Sequence, residues 1–318
     1  MPKESGMTLP VSRFVDAHVH GVDFLQEGDG LESLLRAMDA AGIARAVVFG
    51  LPVVKKWSAF EPVEPHYYLD DDSRCYYYSH TDQIIRAAWE KLPAADRSRL
   101  APLLCGFNPT DLHGIKHVER VLTEWPEWRG VGEVLLRHDD LTNMTEDETA
   151  RANHPAMDAV YKFCAQRGFP LLLHHNSTSV GRRGEYVYLH ELEEALTNHP
   201  ELTVVWAHCG ISRRVFHENY HEMLEDVLRR HPRLHVDISW ACREEVMPES
   251  GGVAEGWVPL IEEFPDRFLL GSDMVGHFDQ LGQTIASFTP LLEALSATAR
   301  EKISSANAER LFFGCARG

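Results

Sequence analysis

Apolar and polar positions fall in alternating blocks along the 318 residues. Eight short runs are apolar at nearly every position: 13–19, 45–50, 101–107, 130–136, 169–174, 203–208, 234–239 and 267–271. Runs of this length predict strands buried on both faces. Between them lie stretches with helical spacing, such as LESLLRAMDAAG after the first run and HPAMDAVYKFCAQRG before the fifth. The latter ends at Gly168, a helix stop, and YLHELEEALTNHP and YHEMLEDVLRRHP both run into His-Pro just before a strand. Strands alternating with helices predict right-handed βαβ units and a parallel sheet. Eight such units in roughly 250 residues plus insertions have the size of a (β/α)8 TIM barrel, read here as one domain over 1–318. The competing topology is an open doubly wound sheet, which gathers ligands at one switch point rather than around one mouth.

One segment breaks the rhythm. Residues 51–100 include KKW, EPVEPHYYLDDD and CYYYSHTD, and only 82–91 read as helix. Long irregular loops in a compact domain are usually functional or disordered. Trp57, Tyr67, Tyr68, Tyr76, Tyr77 and Tyr78 argue against disorder. The segment is expected over the barrel mouth, shaping a pocket. A contact between copies in a homo-oligomer is an equal reading, since exposed aromatics also mark interfaces.

Composition excludes more than it selects. A hydrophobic fraction of 44% and a charged fraction of 25% are ordinary for a soluble globular protein. No stretch approaches the ~20 apolar residues of a membrane span, and MPKESGMTLP has no apolar signal region. The six cysteines are scattered with no C-x-x-C pair, as expected of free thiols in a reducing cytoplasm. A formal charge of −17 argues against a nucleic-acid surface, leaving a small-molecule substrate as the expected partner.

The chemistry lies at the ends of the apolar runs. FVDAHVH carries His18 and His20, PLLLHH ends at His174 and His175, LTVVWAH ends at His208, and RFLLGSD ends at Asp273. GVGEVLL holds a carboxylate, Glu133, inside an otherwise apolar strand, which is costly unless it is paired or bound to metal. Imidazole and carboxylate are the ligands of Zn²⁺ and similar ions, and residues i and i+2 of a strand share a face. A lone H-x-H or a lone His208 is more often a surface pair or a satisfied core histidine. Five strand ends that each carry a ligand type, in the order His-x-His, Glu, His, His, Asp, point jointly to a divalent-metal site.

On these residues the chain resembles the amidohydrolase superfamily of metal-dependent (β/α)8 enzymes, and within it the amidohydrolase 2, or amidohydrolase-related, family. The matching pieces are VDAHVH, GFPLLLHH, VVWAHCG, LLGSDM and the closing NAERLFF, which together run from residue 16 to residue 313. The resemblance implies that His18, His20 and His174 bind the metal, zinc above all, with His175 pointing away. It implies that Asp273 binds the metal and takes a proton from the attacking water. His208 would bind a second ion or orient the water and the developing oxyanion. Members with a carboxylated lysine on strand 4 have Lys there, and this chain does not. Other members bridge two ions with a strand-4 Glu, and many use one ion and no ligand on that strand. One ion is therefore the first expectation and a second is admitted by Glu133, whose alternative role is to orient a ligand histidine.

Loops after barrel strands face the active site. Substrate contacts are accordingly expected among Arg137 and His138 after strand 4, Arg182 and Arg183 after strand 5, Arg213 and Arg214 after strand 6, Trp240 and Arg243 after strand 7, and His277 after GSDMVG. Arg is suited to a substrate carboxylate. Two reactions compete: hydrolysis of an amide, lactone or ester-like bond, with Asp273 as base and His208 at the oxyanion, and decarboxylation of an aromatic or enol-type acid. Hydrolysis is preferred because Glu133 and the His-x-His pair complete a water-activating site. The non-enzyme reading is a metal-binding scaffold, against which the intact Asp273 counts.

Overall fold

A computed structural model describes residues 13–52, 79–138, 145 and 148–314. Its strands are β1 (Phe14–His20), β2 (Ile43–Phe49), β3 (Leu100–Leu104), β4 (Gly130–Leu135), β5 (Leu171–His174), β6 (Val204–Trp206), β7 (Leu234–Ile238), β8 (Phe268–Leu270) and β9 (Met274–Val275). They form one parallel sheet in the order β8-β7-β6-β5-β4-β3-β2-β1-β9. The short β9 continues from β8 and pairs with β1, so the two edges of the sheet meet. Across this seam Asp273 N–H donates to His18 O at 2.9 Å and Gly276 N–H to His20 O at 2.9 Å. A Cβ on Gly271 would stand 2.5 Å from the Cβ of His18, so glycine is what lets the closing segment pass this close. The fold is a (β/α)8 barrel. An open sheet would leave β1 and β8 as edges.

The apolar runs are nearly continuous because both faces of each strand are buried. On β2, Ala46 and Val48 pack under the helices, while Val47 and Phe49 fill the barrel interior. On β5, Leu171 and Leu173 face out and Leu172 faces in, which turns His174 inward as well. Each fully buried Val or Leu contributes on the order of 2 kcal/mol. Helices Leu31–Ala41, His80–Lys91, Gly114–Glu124, Pro155–Arg167, Leu189–Asn198, Tyr220–Arg230, Trp257–Glu263 and Leu281–Ala286 follow successive strands. Gly168 ends its helix as the sequence predicts, at φ 66° with its N–H on Ala165 O and Cys164 O. The C-terminal turns close the floor: Ala308, Leu311 and Phe312 pack under the interior side chains, and Asn307 Nδ2 donates to Pro265 O and Phe268 O, both at 2.8 Å.

Most expected boundaries shift by a residue or two, and three of the shifts have clear local reasons. The run 101–107 stops at Leu104 because the Cys105 and Gly106 N–H groups turn to the Asp82 carboxylate, at 3.0 and 2.8 Å. The run 203–208 stops at Trp206, and Ala207–Gly210 form a tight turn with His208 at φ 55° and Cys209 at φ 53°. The helix expected at 82–91 is His80–Lys91, which packs on the barrel wall, while Thr81 Oγ1 accepts from Leu51 N–H at 2.9 Å at the mouth. The remainder of the expected mouth loop, 53–78, with Trp57 and the five tyrosines, lies outside the described residues. No helix among the described residues is long and apolar enough to cross a membrane. Cys105, Cys164, Cys209 and Cys242 are buried free thiols.

Candidate metal centre

Six side chains converge at the C-terminal end of the barrel. His18 Nε2 stands 3.4 Å from Asp273 Oδ1 and 3.7 Å from Glu133 Oε2, and His20 Nε2 stands 3.3 and 3.4 Å from the same two oxygens. The other oxygen of Glu133, Oε1, faces a different pair, His174 Nδ1 at 3.0 Å and His208 Nε2 at 3.3 Å. All six are buried or nearly so, with the Asp273 side chain 11% exposed.

Local backbone irregularities aim these groups. Between Asp16 and Val19, β1 carries one residue more than β2, and between Val131 and Val134, β4 carries one more than β5. Such bulges redirect a side chain at the rim of a barrel. The second needs Gly132, at φ 143°, where a Cβ would fall 2.5 Å from that of Leu172. Asp273, His208 and Trp240 all adopt left-handed backbone, at φ 54°, 55° and 44°. Each such residue costs on the order of 1 kcal/mol or more, and such residues concentrate where function requires a direction that packing alone does not provide.

The groups around the centre decide where each imidazole keeps its proton. His18 Nδ1 donates to Asp237 Oδ2 at 3.0 Å, and His20 Nδ1 donates to Gly50 O at 2.8 Å. Ser239 Oγ donates to Asp237 Oδ1 and therefore accepts from His208 Nδ1, at 2.7 Å. Asn176 Oδ1 accepts from His174 Nε2 at 3.1 Å. His18, His20 and His208 thus turn Nε2 toward the centre, and His174 turns Nδ1 toward it, within hydrogen-bond distance of Glu133 Oε1. With two carboxylates beside them, four imidazole nitrogens face one another across a buried space. His18 Nε2 is fully buried with no hydrogen-bond partner. A divalent cation would satisfy such a set, and orienting the rings from outside is the usual way a protein prepares metal ligands. The carboxylates draw positive charge to the centre: burial opposes a charged His20, yet Asp273 and Glu133 push its pKa up to about 9. Burial likewise favours a neutral Glu133, yet His18, His174 and His20 hold it well below the usual carboxylate range.

The side chains group as a divalent metal requires: the ligand atoms of His18, His20 and Asp273 lie within 4.8 Å of one another, as do those of His18, Glu133 and His208. Histidine nitrogen and carboxylate oxygen are the donors that zinc and similar ions take.

A cavity of about 330 Å³ opens over the centre. Phe24, Leu51, Leu135 and Val275 form its apolar wall, and His138, Arg213 and Trp240 form the opposite side. His138 stacks on His174 with ring centroids 4.4 Å apart, and burial holds it well below its usual pKa, hence neutral. The Arg213 guanidinium lies 5.2 Å over the Trp240 ring.

Four residues expected at the substrate stand elsewhere. Arg137 turns away from the mouth to make a two-bond ion pair with Glu191, at 2.6 and 2.8 Å, under the Tyr188 ring. His175 points the same way, 3.2 Å from Glu191, as expected. Arg182 is exposed and pairs with Glu185 three residues on. Arg243 does not line the cavity. His277 is 57% exposed and bonds Asp29 at 3.0 Å. Proximity to a strand end does not fix direction: a cationic side chain turns to the nearest acid, and Arg137, Arg182 and His277 each have one within reach.

Two contributors were not assigned from sequence. Asp237 lies mid-strand, and the inward position that β7 gives it is its only signal in the sequence. Asp16 accepts from His18 N–H at 3.2 Å and from Ser272 N–H at 2.9 Å, tying the ligand strand to the closing strand.

A (β/α)8 barrel whose mouth gathers four histidines and two carboxylates is an arrangement suited to holding a divalent metal. The amidohydrolase family model matches residues 15–314, and the chain belongs to that family and is an enzyme of it. Among solved structures, an uncharacterised TIM-barrel protein from Bordetella bronchiseptica is 16% identical, with 94% of this chain and 98% of that one covered and a TM-score of 0.58. A 2,6-dihydroxybenzoate decarboxylase from Rhizobium is 14% identical, with 95% and 99% covered and a TM-score of 0.55. An amidohydrolase from Burkholderia multivorans with bound zinc is 14% identical, with 94% and 99% covered and a TM-score of 0.55. No curated protein sequence matches the chain.

Proposed function

We propose that the chain is a zinc-dependent hydrolase that cleaves an amide, lactone or ester-like bond of a small carboxylate-bearing substrate. The carrying observation is the convergence of four imidazoles and two carboxylates at the base of a cavity that Asp273 adjoins. Glu133 supports two metal positions where the sequence alone favoured one. Its Oε2 faces His18 and His20, and its Oε1 faces His174 and His208. Divalent ions held there supply Lewis acidity and a water of lowered pKa.

The chain's own groups do the rest. Asp273 accepts the proton of the attacking water and returns it to the leaving group, a task for which its ionised state is suited: burial opposes the charge, but His20 and His18 hold its pKa below the usual range. Arg213 binds the substrate carboxylate while Trp240 covers its apolar or ring portion. Neutral His138 is an acceptor or donor beside the reacting group. A volume of about 330 Å³ suits a single-ring substrate.

Decarboxylation of an aromatic acid is the second reading. The aromatic wall of Trp240 and His138 beside a guanidinium favours it, as does the likeness to the Rhizobium decarboxylase. A screen of lactones, amides and aromatic acids with the zinc-loaded protein separates the two. A new carboxylate without CO₂ is expected, and stoichiometric CO₂ release without hydrolysis overturns the first reading. Metal analysis is expected near two equivalents. A ratio near one after reconstitution returns Glu133 to the role of orienting a ligand.

A further inference from the structure

The floor of the barrel, at the end opposite the metal centre, concentrates positive charge. Arg233 immediately precedes β7, Arg267 immediately precedes β8, and Arg310 lies on the last helical turn beneath them. With His235 on β7 they line an open cleft of about 460 Å³. Among the described residues Asp266 is the one carboxylate in that lining, and it is paired with Lys302 Nζ at 2.7 Å. In a chain of net charge −17 such a grouping is unexpected from composition.

The arginines are held by neutral acceptors. Arg267 donates from Nε to Leu234 O at 2.5 Å and from Nη2 to His231 O, which anchors it rigidly. Arg310 Nη2 donates to Asp266 O at 3.0 Å, and Arg233 Nη2 to Thr203 Oγ1 at 3.2 Å. A guanidinium carries five N–H donors; among the described residues Arg233 uses Nη2 on Thr203, and Arg310 uses Nη2 on Asp266 O, Asn307 Oδ1 and His235 Nε2, so their other nitrogens can face a ligand. None of these contacts offsets the charge. Burial and the neighbouring Arg310 accordingly depress Arg267 to about 10, and burial, Arg267 and Arg310 push His235 down to about 3.

We propose that this cleft is a binding site for a phosphate group, held by Arg233, Arg267 and Arg310. Three guanidiniums from three segments match the several oxygens and double charge of a phosphate better than one carboxylate, and Arg binds phosphate in bidentate fashion. The site lies across the barrel from the metal centre, so its ligand is distinct from the substrate. Free phosphate and a phosphate monoester share this chemistry.

The test is calorimetric titration of the zinc-loaded protein with inorganic phosphate, and separately with glycerol 3-phosphate, against chloride at matched ionic strength. Millimolar or tighter binding is expected, weakened at least tenfold in R233Q/R310Q. The tighter of the two ligands identifies the source. Should the double variant fail to fold, R233Q alone, which gives up one bond to Thr203, is expected to weaken binding several-fold. Absence of binding at 10 mM overturns the proposal. So does binding that persists in the arginine variants, because it places the phosphate elsewhere, at the metal centre for instance.

Discussion

Asp237→Asn isolates the role of a residue that touches no substrate. The wild-type carboxylate accepts from three donors: His18 Nδ1 at 3.0 Å on Oδ2, and His208 N–H at 2.9 Å together with Ser239 Oγ on Oδ1. An amide has one accepting oxygen. The backbone N–H of His208 cannot reverse its polarity, so the amide oxygen stays on that side and the NH₂ turns to His18. Two donors then meet, unless His18 moves its proton to Nε2 and loses the lone pair that faces the centre. Changes to groups that orient metal ligands typically cost 10- to 100-fold in metal affinity, about 1.4–2.8 kcal/mol. The assay is competition for zinc with a chromophoric chelator, with circular dichroism as the check on folding. Zinc affinity within about twofold of wild type, in a folded Asp237→Asn protein, would refute the claim that the carboxylate sets the His18 tautomer.

Other expectations follow from the same geometry. Glu133→Gln removes the charge shared by the two histidine pairs, and bound zinc should fall by about one equivalent by elemental analysis; an unchanged ratio counts against bridging. Asp273→Asn should retain the fold and lose turnover by roughly 10²-fold or more, the usual scale for a general base, and wild-type turnover would remove it from that role. Glu191→Gln tests the buried pair with Arg137. Burial alone would raise the Glu191 pKa, but Arg137 and His175 hold it at about 2, against 4.5 in the absence of these partners. A depressed carboxylate contributes stability that is fully present above pH 4.5 and lost as pH falls toward 2, on the order of 3 kcal/mol here. Urea unfolding should therefore show the variant less stable at pH 7 and the gap narrowing below pH 4.5; a constant gap means the ion pair is not its source.

The side chains that converge at the barrel mouth were legible because most sit where an apolar strand ends, a position where packing has no use for imidazole or carboxylate. His18, His20, His174, His208 and Asp273 were found on that ground, and Glu133 on the related ground of a carboxylate inside an apolar run. The cations were less legible. Arg137, Arg182 and His277 each pair with an acid that the sequence places 54, 3 and 248 residues away, and reach to the cavity could not be told from reach to a partner. Arg213, Trp240 and His138 do line it.

The sequence by itself determined the barrel and the kind of ligands at its mouth, since strand periodicity and strand ends are local properties carried by a few consecutive residues. Only the tertiary structure decided which nitrogen of each histidine faces the centre and that the two oxygens of Glu133 serve different pairs. Those facts rest on contacts such as Asp237 with His18, 219 residues apart, which exist only once the ring of strands has closed.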